Sequence, residues 1–248
     1  MADFAVVIPS RYASVRLPGK PLVEINGKPM IRHVWERASA SRAAQVVVAT
    51  DDERIAEAAE SFGAIVCMTG DQHASGTERI AEVADIMDWP DERVVVNLQG
   101  DEPTMPPGLL DECAGLLDDG TVDIATLASP FRSPADFASP NCVKVIRDAA
   151  GHAIYFSRAA IPYARDDSEE RALATALHHH GIYAYRCGVL RRLVAAQPSD
   201  IEICEQLEQL RALSLGMTIA VGIPSERPGA GVDTAEDVAR AAAELAGQ

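Results

Sequence analysis

The chain has 248 residues, 48% of them apolar, and a formal net charge of −15; that length supports one sizeable core, and the acidic balance argues against nucleic acid as a partner, because gripping a phosphate backbone takes widespread lysine and arginine. No apolar run approaches a membrane span, and the first residues lack the basic-then-apolar order of a signal peptide. The five cysteines (Cys67, Cys113, Cys142, Cys187 and Cys204) are scattered, with no Cys-x-x-Cys pair, which argues against structural zinc or a disulfide framework and fits a reducing cytosol.

In chain order, Phe4–Ile8 is an unbroken apolar run that predicts a buried strand. The stretch from Pro9 to Leu22 then carries three cations, Arg11, Arg16 and Lys20, among Pro, Gly and small residues that neither continue a strand nor start a long helix. Asp3 is the only acid in the first twenty residues. Open α/β sheets hold ligands beyond the carboxyl ends of their strands, and Gly19 beside Lys20 lets backbone N–H groups approach a phosphate. Solvated surface charge is the plain alternative. The loop suits a nucleoside triphosphate, yet it has neither a Walker A ending nor a Gly-x-Gly-x-x-Gly fingerprint, so the phosphate would be held by another device.

Gly27-Lys28-Pro29 opens a predicted helix with Ile31, Val34, Trp35 and Ala38 on one face. Gln45–Thr50 predicts a second strand, and Ile55, Ala58, Ala59 and Phe62 stripe a helix that stops at Gly63. Ala64–Met68, a helix over Thr77–Met87 and a strand over Arg93–Leu98 continue the alternation, which implies a parallel sheet with helices on both faces. Past residue 120 the rhythm breaks. Asp123–Ala128, Val143–Arg147, His152–Phe156 and Gly181–Arg186 read as strands without regular helices between them, while Pro134–Pro140 and Asp166–Glu170 read as loops. A helix over Glu202–Leu213, a strand over Met217–Ile223 and an Ala-rich helix from Thr234 close the chain. No linker or repeat divides it. The expectation is one α/β domain over residues 1–248, a Rossmann-like, mostly parallel sheet flanked by helices, with a smaller β-rich lobe inserted at about residues 120–200.

Asp101 falls just past the Arg93–Leu98 strand, in Gln99-Gly100-Asp101-Glu102-Pro103, on the edge that also carries the cationic loop. A carboxylate there is a hard oxygen ligand of the kind Mg²⁺ takes together with substrate phosphates; a turn or capping acid is the alternative. Asp233, in Gly231-Val232-Asp233-Thr234 before the last helix, is its natural partner, with helix capping again the competing role. Asp51 and Asp52 follow the second strand and suit capping of the next helix, though they share the same edge. His73, Ser75, Gly76, Thr77, Glu78 and Arg79 form a polar entry to a helix, where Ser75 or Gly76 and the first amides suit a base or phosphate. His178-His179-His180 cannot chelate as a tripod from a strand, because adjacent side chains point to opposite faces. No nucleophile–His–Asp order with motif support appears.

The run Pro9-Ser10-Arg11-Tyr12-Ala13-Ser14-Val15-Arg16-Leu17-Pro18-Gly19-Lys20-Pro21-Leu22 resembles the amino-terminal signature of 3-deoxy-manno-octulosonate cytidylyltransferases, the CMP-Kdo synthetases, with Ser10 and Val15 where that family has Ala and Thr. The resemblance continues, in order, through Val48-Ala49-Thr50-Asp51, Cys67-Met68-Thr69, Ser75-Gly76-Thr77-Glu78-Arg79, Asn97-Leu98-Gln99-Gly100-Asp101-Glu102-Pro103, Tyr155-Phe156-Ser157-Arg158, His179-His180-Gly181-Ile182-Tyr183, Leu207-Glu208-Gln209-Leu210-Arg211 and Gly231-Val232-Asp233-Thr234. It is weakest over residues 163–180, and His180 stands where the family has Leu.

That resemblance implies the nucleotide-diphospho-sugar transferase fold and the reaction CTP + Kdo → CMP-Kdo + diphosphate, serving lipopolysaccharide assembly in the cytoplasm. It implies that Arg11, Arg16 and Lys20 hold the triphosphate, and that Asp101 and Asp233 bind Mg²⁺, as two ions. Thr50, Asp51, Met68, Thr69, Ser75, Gly76, Arg79 and Gln99 would serve the nucleotide. Gln99, Arg158, His179, Tyr183, Glu208 and Gln209 would read Kdo, with Arg158 meeting the sugar carboxylate. A homodimer built through the inserted lobe is also implied. Rival readings are transfer to another acid sugar, such as sialic acid or 8-amino-Kdo, and a catalytically dead nucleotide-binding subunit. The second predicts loss of a charged residue from the Arg11, Arg16, Lys20, Asp101, Asp233 set, and all five are present. A glycosyltransferase would typically offer an Asp-x-Asp motif at a strand end, and none is found there.

Overall fold

A computed structural model describes residues 3–13, 17–166, 168–229 and 231–247. The strands are β1 (Phe4–Ser10), β2 (Glu24–Ile25), β3 (Lys28–Pro29), β4 (Gln45–Thr50), β5 (Ile65–Met68), β6 (Val94–Asn97), β7 (Ile124–Pro130), β8 (Lys144–Arg147), β9 (Ala153–Ser157), β10 (Leu177–Arg186) and β11 (Ile219–Gly222). The helices are α1 (Met30–Ser39), α2 (Glu53–Ser61), α3 (Gly76–Ile86), α4 (Pro107–Gly115), α5 (Pro134–Ala138), α6 (Glu169–Thr175), α7 (Cys187–Ala195), α8 (Asp200–Glu205), α9 (Gln209–Ser214) and α10 (Ala235–Ala246), with one 3-10 turn at Lys20–Leu22.

The main sheet runs in the order β11-β7-β10-β6-β1-β4-β5, and β8 and β9 extend off β10. β1 pairs in parallel with both β4 and β6, while β10 runs antiparallel to β6 and β7. The sheet is therefore mostly parallel but not wholly so. Because β1 lies between β4 and β6, the chain leaves it in one direction and returns on its other side. This is the switch point at which strand-end loops splay apart and open a crevice. The register aligns Ser10 with Thr50, and Val7 with Asn97, so the loops after three strands emerge on one edge.

Alternation along β1 builds both core layers. Phe4, Val6 and Ile8 pack with Ile31, Val34 and Ala38 of α1 and Leu109, Leu110 and Cys113 of α4. Ala5 and Val7 face the opposite layer, with Ile80, Val83 and Ala84 of α3 and Leu190 and Leu193 of α7. Each fully buried Val, Leu, Ile or Phe among these contributes ~1.5–3 kcal/mol relative to exposure.

Several expectations are corrected in detail. Lys28 and Pro29 pair back on Glu24 and Ile25 as a hairpin, so the first helix starts at Met30. Residues 134–138 form the short helix α5, capped by Ser133, rather than a loop, and α6 begins within the polar run at Glu169. The helix expected over residues 202–213 is two helices, broken at Gln206, whose φ of 52° is left-handed. Within residues 120–200, β7 and β10 belong to the main sheet, and β8 and β9 extend off β10. No helix among the described residues is long and apolar enough to cross a membrane.

The break between α8 and α9 is braced by a buried ion pair. Arg211 donates from Nε and Nη2 to Glu202 at 2.9 and 2.6 Å, with both side chains at most 10% exposed. Removing one partner strands the other charge in the interior, whereas replacing both with apolar groups does not. Arg211→Met should cost about 3–5 kcal/mol in urea denaturation, and the double variant Glu202→Leu/Arg211→Met should recover most of that loss.

Candidate active site

The crevice at the switch point is a cleft of about 420 Å³, within the usual range for small-molecule sites. Its walls come from the end of β1 (Pro9, Ser10, Arg11), the 3-10 turn (Lys20, Pro21), the entry to α3 (His73 to Gly76, with Arg79), the turn after β6 (Gln99, Gly100, Asp101) and Asp233. Two glycines make this assembly possible. Gly19 has a φ of 67°, donates its N–H to Tyr12 O at 3.1 Å, and lies so close to the Tyr12 ring that a Cβ would sit 3.1 Å from it. The Tyr12 ring is in turn covered by the Arg54 guanidinium, 3.4 Å from its centroid. At Gly100 a Cβ would meet Ser10 Oγ at 2.8 Å and Pro9 O at 2.9 Å, so only glycine lets the β6 turn press against the end of β1.

Lys20 is the electrostatic centre of the cleft. Its Nζ donates to Asp101 Oδ2 at 2.6 Å and to Asp233 Oδ1 at 3.1 Å. Burial works against the ammonium, but the Asp101 charge and the hydrogen bonds to both carboxylates outweigh it and raise the Lys20 pKa above its ordinary value. Asp233 is carried there by the loop before α10, whose N-terminus Thr234 and Asp237 close as a capping box; Val232 N binds Asp101 O at 2.9 Å, joining the two acidic loops directly. Next to this group, Glu102 is pushed up to about 8, by burial first and then by the Asp101 charge. Its Oε2 is buried without a hydrogen-bond partner. Arg11 lines the cleft as expected, and Arg16 lies outside the described residues.

A second, smaller cavity of about 60 Å³ meets the first at Gln99, which lines both. Asn97, Tyr183, Glu208 and Gln209 are among its walls. Glu208 accepts hydrogen bonds from Ser75 Oγ at 2.8 Å and Thr77 Oγ1 at 2.7 Å; burial raises its pKa against the lowering effect of those hydroxyls. The Tyr183 hydroxyl is buried there without a partner. Such a donor, in a polar cavity beside Gln99, Glu208 and Gln209, suits a polyhydroxylated ligand.

Other expected residues take supporting places. Arg79, 4% exposed, bridges Asp51 at 3.0 Å and the Thr69 hydroxyl at 2.5 Å, and Thr69 N binds Thr50 O at 2.9 Å. Of Thr50, Asp51, Met68, Thr69 and Arg79, only Arg79 lines the cleft; Met68 is 47% exposed at the end of β5. Arg158, expected to meet a sugar carboxylate, lines neither cavity. Its guanidinium is spent on main-chain carbonyls: Glu205 O at 2.7 Å, Pro140 O at 3.0 Å and Gln206 O at 3.2 Å. His179 also lines neither cavity. Its Nε2 lies 3.0 Å from Thr126 Oγ1, and its ring packs edge-on to Phe156 and against Tyr183. His73, read from the sequence only as part of a polar loop, lines the cleft and pairs with Glu82 at 2.5 Å. Its position two residues before Ser75-Gly76 is the signal that could have selected it.

The family model for cytidylyltransferases matches residues 5–219. The chain is a cytidylyltransferase. Among solved structures, it is 42% identical to a CMP:2-keto-3-deoxy-manno-octonic acid synthetase complexed with CTP, with a TM-score of 0.92 over 99% of each chain. A cytidylyltransferase from Leptospira borgpetersenii shares the fold at 19% identity, with a TM-score of 0.61 over 96% of this chain and 84% of that one. A 4-diphosphocytidyl-2C-methyl-D-erythritol synthase from Anaerococcus prevotii does so at 14%, with a TM-score of 0.65 over 98% and 96%. The chain thus carries the cytidylyltransferase fold, and the enzyme is a nucleotidyltransferase.

The histidines of β10 set a stability prediction for this cytidylyltransferase. Alternation puts His178 and His180 on one face, their rings 5.3 Å apart, and His179 on the other. His180 Nε2 lies 3.0 Å from Ser129 Oγ. Burial, followed by the neighbouring histidines, drives both His179 and His180 down to about 3. A histidine held neutral in the folded state keeps its stability above its unfolded pKa of ~6.5 and loses it as pH falls below that value, by up to ~1.4 kcal/mol per pH unit for each ring. Melting temperature should therefore fall between about pH 6.5 and 5, before most carboxylates protonate. The fall should be shallower in His180→Gln; an unchanged slope would show that His180 titrates normally.

Proposed function

We propose that this cytidylyltransferase couples CTP to 3-deoxy-manno-octulosonate, releasing diphosphate and CMP-Kdo. One observation carries the reading: cations and two convergent carboxylates share the crevice, with a smaller cavity lined by Asn97, Tyr183, Glu208 and Gln209 meeting it at Gln99. The 42% identity to the CMP:2-keto-3-deoxy-manno-octonic acid synthetase over nearly the whole chain supports the choice of acceptor.

In this reading Arg11 and Lys20 face the triphosphate, with Arg16 assigned from the sequence alone. The Ser75-Gly76 entry to α3 takes the cytidine side, with Arg79 beneath it holding Asp51 and Thr69. Gln99, Tyr183, Glu208 and Gln209 orient the sugar, while Arg158 and His179 act from behind this layer. The anomeric hydroxyl of Kdo attacks the α-phosphorus in line and gives up its proton to solvent; the bond from that phosphorus to the β-phosphate bridging oxygen breaks, and its electrons leave with diphosphate. Lys20 and Arg11 offset charge that grows on the leaving group.

Two Mg²⁺ ions complete the proposal. Asp101 and Asp233, from different loops, already converge on one positive charge, the Lys20 ammonium, and are hard oxygen donors, so they fit such a cation. Among the described residues no cluster of three or more His, Cys, Asp or Glu side chains could hold a metal, so phosphate and water would have to supply the remaining ligands of such an ion. When bound, the ions would neutralise the triphosphate and lower the pKa of the attacking hydroxyl. On this reading the product feeds lipopolysaccharide assembly and the enzyme works in the cytoplasm, and Ile154 and Tyr163, 59% and 88% exposed, offer apolar surface for a homodimer through the region around β9.

A diphosphate-release assay with CTP, Mg²⁺ and a panel of acid sugars tests the reading. Kdo should support turnover and sialic acid should not; preference for sialic acid or 8-amino-Kdo would reassign the acceptor. Asp101→Asn and Asp233→Asn should each lower kcat by at least about a hundred-fold, and near-wild-type turnover in either would remove the carboxylate from the metal site.

A further inference from the structure

The Lys20 ammonium sits between the same two carboxylates that the proposed function assigns to Mg²⁺, at 2.6 Å from Asp101 and 3.1 Å from Asp233. An ammonium and a dication compete for these two carboxylates, because two like charges a few ångströms apart repel in a partly buried site. The side chain has a reason to be in each of two places. One is between the acids, where it is only 16% exposed; the other is on the triphosphate that the proposed function puts in the cleft Lys20 also lines.

The backbone makes this a side-chain movement and nothing larger. Lys20 N binds Leu17 O at 3.1 Å, Leu22 N binds Gly19 O at 2.8 Å, and Val23 N binds Lys20 O at 3.1 Å. The residue is therefore anchored on both sides in a closed turn, and Pro21 inside that turn fixes φ. Four methylenes carry the charge, so the ammonium can exchange one anionic partner for another by rotamer change while its Cα stays in place.

We propose that Lys20 is an internal counter-ion: it occupies the metal-binding carboxylates of the nucleotide-free enzyme and leaves them only when a triphosphate draws it away, so that nucleotide and metal enter as a coupled pair and metal alone is kept out. This rests on the assignment of Asp101 and Asp233 as the metal carboxylates. Linkage makes the coupling reciprocal: whatever factor the nucleotide adds to metal affinity, the metal adds to nucleotide affinity. A lysine that served only as a phosphate ligand would affect nucleotide binding and leave the affinity of the free enzyme for metal unchanged. An internal counter-ion changes the two in opposite directions.

The experiment is a Mn²⁺ titration of the full-length, nucleotide-free protein, followed by the EPR signal of the free ion. Lys20→Met should bind Mn²⁺ at least about ten-fold more tightly than wild type, while its affinity for CTP falls; Lys20→Gln should behave in the same way. Lys20→Arg, which keeps the positive charge, should stay near wild type. Unchanged or weaker Mn²⁺ binding in both neutral variants overturns the proposal. Adding Asp101→Asn and Asp233→Asn to Lys20→Met separates the two levels. If the gained Mn²⁺ site survives their loss, the carboxylate assignment itself is wrong and the proposal falls with it; if it disappears, both stand.

Discussion

Everything in the candidate active site depends on one electrostatic arrangement: a lysine ammonium held between two aspartates at the point where the sheet reverses direction. An acidic protein that binds a polyanion must confine its positive charge and balance it locally. The β1 loop supplies the cations and the loops after β6 and before α10 supply the acids. Parallel pairing of β1 with β6 brings the first two together, and the Val232–Asp101 backbone bond brings in the third. Gly100 sets the distance between the β1 and β6 loops, since any side chain there would collide with Ser10 and Pro9.

Behind this centre the protein uses buried cations as fasteners. Lys144, with no exposed surface, donates to three main-chain carbonyls, Ser139 O, Cys142 O and Arg158 O, at 2.6–2.8 Å; burial lowers its pKa. Arg158 continues the chain of contacts onto Glu205 O and Gln206 O, and the Glu205 carboxylate accepts from Ser157 Oγ and Arg158 N. With the Glu202–Arg211 pair, these bonds fix the bend at Gln206 that presents Glu208 and Gln209 to the second cavity. Under the proposed function, rigid support of this kind would hold these two side chains in place for the acceptor.

The first half of the fold is legible in the sequence because its signals are local. The apolar run of β1, the stripes of α1 to α3 and the Ser75 cap of α3 require no knowledge of distant contacts. α4 and α7 are harder to read. α4 spans only Pro107–Gly115 and carries Gly108 in its first turn, which lowers its local helix propensity, and α7 follows β10 with no intervening turn. The bend at Gln206 places a residue other than glycine in the left-handed region, which tertiary bonding decides and local propensity does not. Among site residues, Lys20, Asp101 and Asp233 are legible as charges at strand-end loops. Where Arg158 directs its guanidinium, and that Thr50 and Thr69 brace one another at the rim of the cleft, depends on backbone groups remote in sequence.

The central claim is that this crevice brings an acceptor hydroxyl to the α-phosphorus of CTP. Kdo labelled with ¹⁸O at its anomeric hydroxyl tests it most directly, with the product followed by the isotope shift of its ³¹P resonance. The account predicts that the label is retained as the bridge between sugar and the CMP phosphorus, with none in the released diphosphate. Label in the diphosphate, or an unshifted CMP phosphorus, would contradict it.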